Sequence, residues 1–200
     1  MLRFQIYNPK LIPVDSPFKF KVNYFKLIWP NLQAVNVIIF TDGSARGNPG
    51  RGGYGVVLKS GIHYKEMSEG YRLTTNNRME LLAVIIGLEA LKFEQLSVQV
   101  YTDSKYVCEA IEKKWLNNWL RTDFKGKKNK DLWLRYHQIA QKHIVKFHWI
   151  KGHAGHPMNE RCDVLATQAA DGKNLKIDQI YEQLQQAELR ANANNNHPFL

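Results

Sequence analysis

The sequence predicts an α/β domain with a five-stranded mixed sheet flanked by helices, in the order βββαβααβα. Three observations predict it. Short apolar runs at Val35–Thr41, Val98–Thr102 and His143–Ile150 have strand length, too short for helices. The runs "GGYGVVLKS" and "IHYKEMSEGYRL" meet at a turn, Ser60–Gly61, and read as a hairpin. Between and after these lie longer segments with apolar residues at helical spacing.

Each element follows in order. Val35–Thr41 is a continuous apolar run, as a strand buried on both faces requires. It reaches Asp42 and breaks into "GSARGNPG", which predicts that the strand stops there. The hairpin comes next. "TTNNRMELLAVIIGLEALKF" opens with Thr and Asn, residues suited to an N-cap. Leu81, Val84, Ile85 and Leu88 then mark one face, and Glu80 falls in the first turn. Val98–Thr102 is the fourth strand, followed by Asp103. Helical segments fill 104–119 and 130–142. "HIVKFHWI" is the fifth strand. "HPMNERCDVLATQAA" is the last helix of the domain, with Pro157 tolerated in its first turn.

The domain spans 35–171. Residues 1–34 form an N-terminal extension of unknown role. It carries Pro9, Pro13, Pro17 and Pro30 among many aromatics, and the prolines exclude long elements. It has no continuous apolar stretch of the signal-peptide kind. In the tail, 172–200, "DQIYEQLQQAELR" reads as an amphipathic helix. "ANANNNHPFL" lacks a core-forming pattern and reads as disordered.

Composition narrows the function classes. No apolar run approaches a membrane span. The formal net charge of +10 points to a polyanionic partner but carries no information on fold. Two cysteines, Cys108 and Cys162, are too few for a disulfide framework and suit a cytoplasmic protein with reduced thiols. His153, His156 and Cys162 lack a fourth neighbour for a zinc site.

The chemistry lies in four acids at element ends. A hairpin and a helix separate the first and fourth strands, which is the crossover a parallel pair needs. Asp42 and Asp103 then sit side by side at adjacent carboxyl ends, where ligands gather in such sheets. Glu80 and Asp163 complete the group. Clustered carboxylates repel, so one takes a proton or a cation lies between them. Oxygen ligands suit hard divalent cations, Mg²⁺ above all, and a metal pair suits phosphoryl chemistry. Taken singly, each acid has an ordinary reading. Asp-Gly is a common turn pair, Glu80 complements a helix dipole, Asp103-Ser104 resembles a cap, and Asp163 fits a surface ion pair. Thr122-Asp123 is the control: no apolar strand precedes it, so it reads as surface.

The segments "FTDGSARGNPGRGGYG", "TTNNRMELLAVIIGLEAL", "VYTDSKYV", "DLW" and "WIKGHAGHPMNERCDVLA" together resemble ribonuclease H type I. They occur in that family's order and cover 35 to about 170. The resemblance implies the RNase H-like fold. It also implies cleavage of the RNA strand of RNA–DNA hybrids by two-metal-ion catalysis with Mg²⁺ or Mn²⁺, leaving 5′-phosphate and 3′-hydroxyl ends. The family's metal-binding acids fall on Asp42, Glu80, Asp103 and Asp163, and its mobile-loop histidine on His153. His153 lies between Gly152 and Ala154-Gly155, and a titratable group there could shuttle protons or help product leave.

For the substrate, the resemblance places Asn48, Asn76 and Asn77 near the strands, Thr75 on a DNA phosphate and Lys105 on the RNA side. Backbone groups and short polar side chains suit the 2′-hydroxyl, the handle that tells RNA from DNA. "EKKWLNNWLRTDFKGKKNKDLW" resembles the family's basic handle, with Lys125, Lys127 and Lys128 on the DNA strand and Trp115 and Trp119 at its aromatic positions. The handle is short, and Phe124 stands where some members have tryptophan. The protein is expected to act as a cytoplasmic monomer. A non-catalytic hybrid-binding protein would lack an acid or the histidine, and all five are present. Transposases and junction resolvases share only the acid cluster.

Overall fold

The computed structural model describes residues 36–195. Expectations for residues 1–34 and 196–200 lie outside the described residues. Five strands form one sheet in the order β3-β2-β1-β4-β5: β1 Asn36–Gly47, β2 Gly50–Ser60, β3 His63–Thr74, β4 Ser97–Thr102 and β5 Ile144–Trp149. β1 pairs antiparallel with β2 and parallel with β4, and β4 pairs parallel with β5. The mixed sheet and the adjacency of the first and fourth strands are as the sequence predicts.

The helices are α1 Asn76–Glu89, α2 Lys105–Glu112, α3 Trp115–Arg121, α4 Lys130–Ala140, α5 Pro157–Ala170 and α6 Gln179–Asn195. Alternation along β1 and β2 explains the layers. Ile39 and Val56 point to the face covered by α1, with Leu81, Val84, Ile85 and Leu88 in the same cluster. Their neighbours Phe40 and Val57 point the other way, onto Cys162 and Leu165 of α5. The centre of the sheet is therefore buried on both sides. Cys108 and Cys162 are both free and buried.

Three expectations need correction. β1 does not stop at Asp42. It continues to Gly47, because the glycine-rich start of β2 supplies ladder partners as far as Gly50, with Asp42 opposite Gly55. The helix expected over 104–119 is two helices. Lys114 adopts a left-handed conformation (φ 57°) and breaks it, so three helices lie between β4 and β5. In the tail, α6 runs through Ala191–Asn195, beyond the point where the composition reads as disordered.

The tail segment is tied to the domain. Lys176 bridges Tyr71 at the edge of β3, Arg72 forms a two-bond ion pair with Glu182, and Asp178 reaches Arg78. Arg78 is 1% exposed and also binds Asp131 with both terminal nitrogens. Burial alone would push its guanidinium down, but the bonds to Asp131 and Asp178 more than reverse that. The described residues belong to one unit, Ala34–Leu200. Among them no helix is long and apolar enough to cross a membrane.

Candidate active site

Two parallel strand ends place the first two acids. Thr41 of β1 is level with Thr102 of β4, so Asp42 and Asp103 follow at adjacent positions. Asp42 is 7% exposed, and its Oδ1 accepts a 2.7 Å bond from the Gly43 N–H. Gly43 then lets α1 approach. A Cβ there would run into the backbone of Met79 and Glu80, so the glycine brings Glu80 against Asp42.

Glu80 lies one turn deeper in α1 than expected, because the helix begins at Asn76 and has no acid in its first turn. Its placement is set by packing, not by the helix dipole. Asn76 Nδ2 donates to Glu80 Oε1 at 2.8 Å. Glu80 Oε2 is buried and has no hydrogen-bond partner. The Ser104 hydroxyl is near enough to oppose part of Glu80's shift but does not satisfy that atom. A buried, unpaired carboxylate oxygen carries a cost that a cation would remove.

Asp103 is held from three directions. Asn159 Nδ2 donates to Oδ2 at 3.3 Å, and Trp149 Nε1 donates to the backbone carbonyl at 3.0 Å. On the third side Gly152 packs so closely that an added Cβ would lie 2.5 Å from Oδ2. Asp163, in α5, faces the loop that carries His153, whose Nδ1 lies 3.9 Å from Asp163 Oδ2. His153 is 82% exposed at its side chain and has a left-handed backbone (φ 51°). His156 instead packs at a tilt against Phe40 and stacks near Tyr101, a packing role.

The electrostatics join the four acids into one site. Burial first, then Asp103, Glu80 and Asp163, push the Asp42 carboxyl up to about 8, against a counteracting bond from Gly43. Burial and Asp103 push Glu80 up to about 7, although Ser104 and Asn76 oppose it. Among the described residues no three His, Cys, Asp or Glu side chains form a ready-made metal cage. The crowded carboxylates and the orphaned Glu80 Oε2 are oxygen donors of the kind a hard divalent cation takes, so the residues fit one.

The predicted substrate residues divide. Asn48 Oδ1 accepts the Asn76 N–H at 3.3 Å, so the loop after β1 caps α1 across the site. Thr75, the N-cap residue, makes no side-chain cap bond, and Asn77 is exposed. Lys125, Lys127 and Lys128 are exposed together in the segment after α3. Trp115 is 40% exposed, with Lys113 5.0 Å from its ring centre. Trp119 is a correction. It is 8% exposed and packs edge-on against Trp133 and beside Phe124, so it belongs to the core beneath the handle. Trp119 is one turn from Trp115, but the α3–α4 packing turns it inward. The control pair fits its reading, since Asp123 is exposed and bonds Lys130. Sequence reasoning missed Asn159 and Trp149. Both act through Asp103, and only the fold reveals that.

The chain matches the RNase H family over residues 34–171. It is 53% identical over 153 residues to a ribonuclease H of Desulforamulus reducens, covering 74% of this chain and 96% of that one. It is 52% identical over 153 residues to a ribonuclease H of Nitratidesulfovibrio vulgaris, covering 74% and 97%. Among solved structures, it is similar to LC9-RNase H1, a type 1 RNase H with the type 2 active-site motif. That match has a TM-score of 0.65 at 30% identity, over 77% of this chain and 82% of that one. It is also similar to LC11-RNase H1 solved with an RNA/DNA hybrid, with a TM-score of 0.52 at 28% identity over 68% and 96%.

Proposed function

As a member of the ribonuclease H family, this chain is an endoribonuclease acting on RNA–DNA hybrids, and we propose that Asp42, Glu80, Asp103 and Asp163 carry its divalent-metal site. The metal is Mg²⁺, with Mn²⁺ as a substitute. The observation that carries this reading is the crowding of four acids at one buried place in an otherwise basic protein, where burial first and then the neighbouring carboxylates drive Asp42 up to about 8.

Cations held there would activate a water for attack on phosphorus and offset charge on the leaving oxygen. The chain's own residues do the rest. Asn76 fixes one Glu80 oxygen and leaves the other turned to the site. Asn159 and Trp149 hold Asp103 in place. His153, exposed and beside Asp163, moves protons between the site and solvent at Nδ1 and eases product departure. Asn48, Asn76 and Asn77 face the strands near the site, Lys105 faces the RNA strand, and Thr75 takes a DNA phosphate near the α1 N-terminus. Lys125, Lys127, Lys128 and Trp115 grip the DNA strand. The products carry 5′-phosphate and 3′-hydroxyl ends, and the enzyme works as a cytoplasmic monomer.

The test is cleavage of an end-labelled RNA strand, offered alone, paired with RNA and paired with DNA, with Mg²⁺ and with chelator. Cutting only in the hybrid and only with metal is the expected result. Tight hybrid binding without cutting would replace the enzyme by a hybrid-binding protein.

A further inference from the structure

Trp149 sits where β5 ends and the chain turns into the His153 loop, level with Thr102 of β4. It lies on the edge strand of the sheet and is 45% exposed, a large aromatic open to solvent beside the site. Both parts of its side chain are engaged. The indole N–H donates to the Asp103 carbonyl, and Lys105 Nζ lies 5.4 Å from the ring centre. Lys105 is exposed at the start of α2, two residues after Asp103, and has no carboxylate partner among the described residues.

A lone lysine ammonium is a flexible point charge that loses rotamer freedom on binding an anion. Resting over an indole face removes part of that loss beforehand and leaves N–H donors turned to solvent. The same indole fixes the peptide that carries Asp103. One side chain thus sets the spacing between an acid of the site and a cation beside it.

We propose that Trp149 is a positioning residue that holds Lys105 beside Asp103 as an anchor for an RNA-strand phosphate flanking the scissile one. This rests on the assignment of Asp103 to the active site. Its two halves separate by substitution. Trp149→Leu loses both the N–H and the ring face. Trp149→Phe keeps the face and loses only the N–H.

The experiment is steady-state cleavage of a hybrid across a salt series by the wild type, Trp149→Leu, Trp149→Phe, Lys105→Met and the Trp149→Leu/Lys105→Met double variant, with melting curves for each. Lys105→Met should lower the slope of log(kcat/KM) against log[salt] by about 0.7 to 0.9, one phosphate contact. Trp149→Leu should raise KM about two- to five-fold, the worth of an exposed cation–π contact, and should flatten the slope in the same direction. In the Lys105→Met background the same change should leave KM and slope unaltered. Trp149→Phe should keep the wild-type slope and lose about five-fold in kcat, through the Asp103 carbonyl alone. A wild type that leaves the hybrid intact would overturn the assigned function. A wild type that cuts, with Trp149 and Lys105 effects on KM and salt slope that simply add, or with an unchanged salt slope in Trp149→Leu, would overturn the positioning role.

Discussion

At Asp42, burial and three neighbouring acids act in the same direction. The carboxyl holds its proton to about 8 instead of its ordinary 3.8, and Glu80 to about 7 instead of 4.5. The folded state therefore binds protons that the unfolded chain releases. The stabilisation from this is complete below about pH 4 and is lost as pH rises through about 8. In chelator, melting temperature should fall across that window, and Asp42→Asn should melt higher than the wild type at pH 8, by on the order of a few kcal/mol in stability. Mg²⁺ should flatten the wild-type profile and leave the variant nearly unchanged. His153 makes a different claim. Its side chain is 82% exposed, so His153→Ala should leave melting nearly unaltered while kcat drops by about ten- to a hundred-fold with little change in KM. Equal changes in kcat and KM would remove it from proton transfer. At this scale the acids were legible because each stands in a recognisable segment. Asn159 and Trp149 were not, because their partner, Asp103, is 56 and 46 residues away.

Among the elements, the strand ends and the handle divide the labour of chemistry and grip. Gly152 is the tight point between them and the site. Gly152→Ala would place a Cβ 2.5 Å from Asp103 Oδ2, and the carboxylate must move. A displacement of that kind should cost on the order of a hundred-fold in kcat. The handle should behave oppositely. Lys125→Ala, Lys127→Ala and Lys128→Ala together should raise KM more than they lower kcat, and the wild-type KM should climb steeply with salt. Equal loss in kcat and KM would place these lysines in the chemistry instead. Hydrophobic period and turn residues revealed all five strands and every helical segment, although α2 and α3 read as one helix. They misplaced boundaries where the backbone departs from its usual region. Lys114 has no local signal for a left-handed φ, and the glycines after Asp42 read as a break although β2 pairs with them. Trp119 was misread for a related reason. Spacing gives the face of a helix, but which face meets the core depends on α4.

Across the whole molecule, the tail completes the domain around one buried charge. Arg78 lies two residues before Glu80 and joins α1, the start of α4 and the tail through Asp131 and Asp178. Asp178 also accepts the Tyr181 N–H at the start of α6, and Tyr181 covers the guanidinium at 5.3 Å. Removing one partner of a buried ion leaves its charge undercompensated. Asp178→Ala should destabilise the protein by about 2 kcal/mol, lowering the melting temperature by about 6 °C, less than full loss of the pair because Asp131 remains. None of this was legible in the tail's composition, since an amphipathic helix does not reveal which sheet edge it will meet.

Asp42 of β1, Glu80 of α1, Asp103 in the turn after β4 and Asp163 of α5 are proposed to form one cation site. Calorimetric titration of the metal-free protein with Mg²⁺ tests it most directly, beside Asp42→Asn, Glu80→Gln, Asp103→Asn and Asp163→Asn. Binding should be measurable in the wild type and weakened in every variant, most in Asp42→Asn, with all five proteins folded by circular dichroism. Wild-type affinity retained in Asp42→Asn would contradict the claim and place the cation elsewhere.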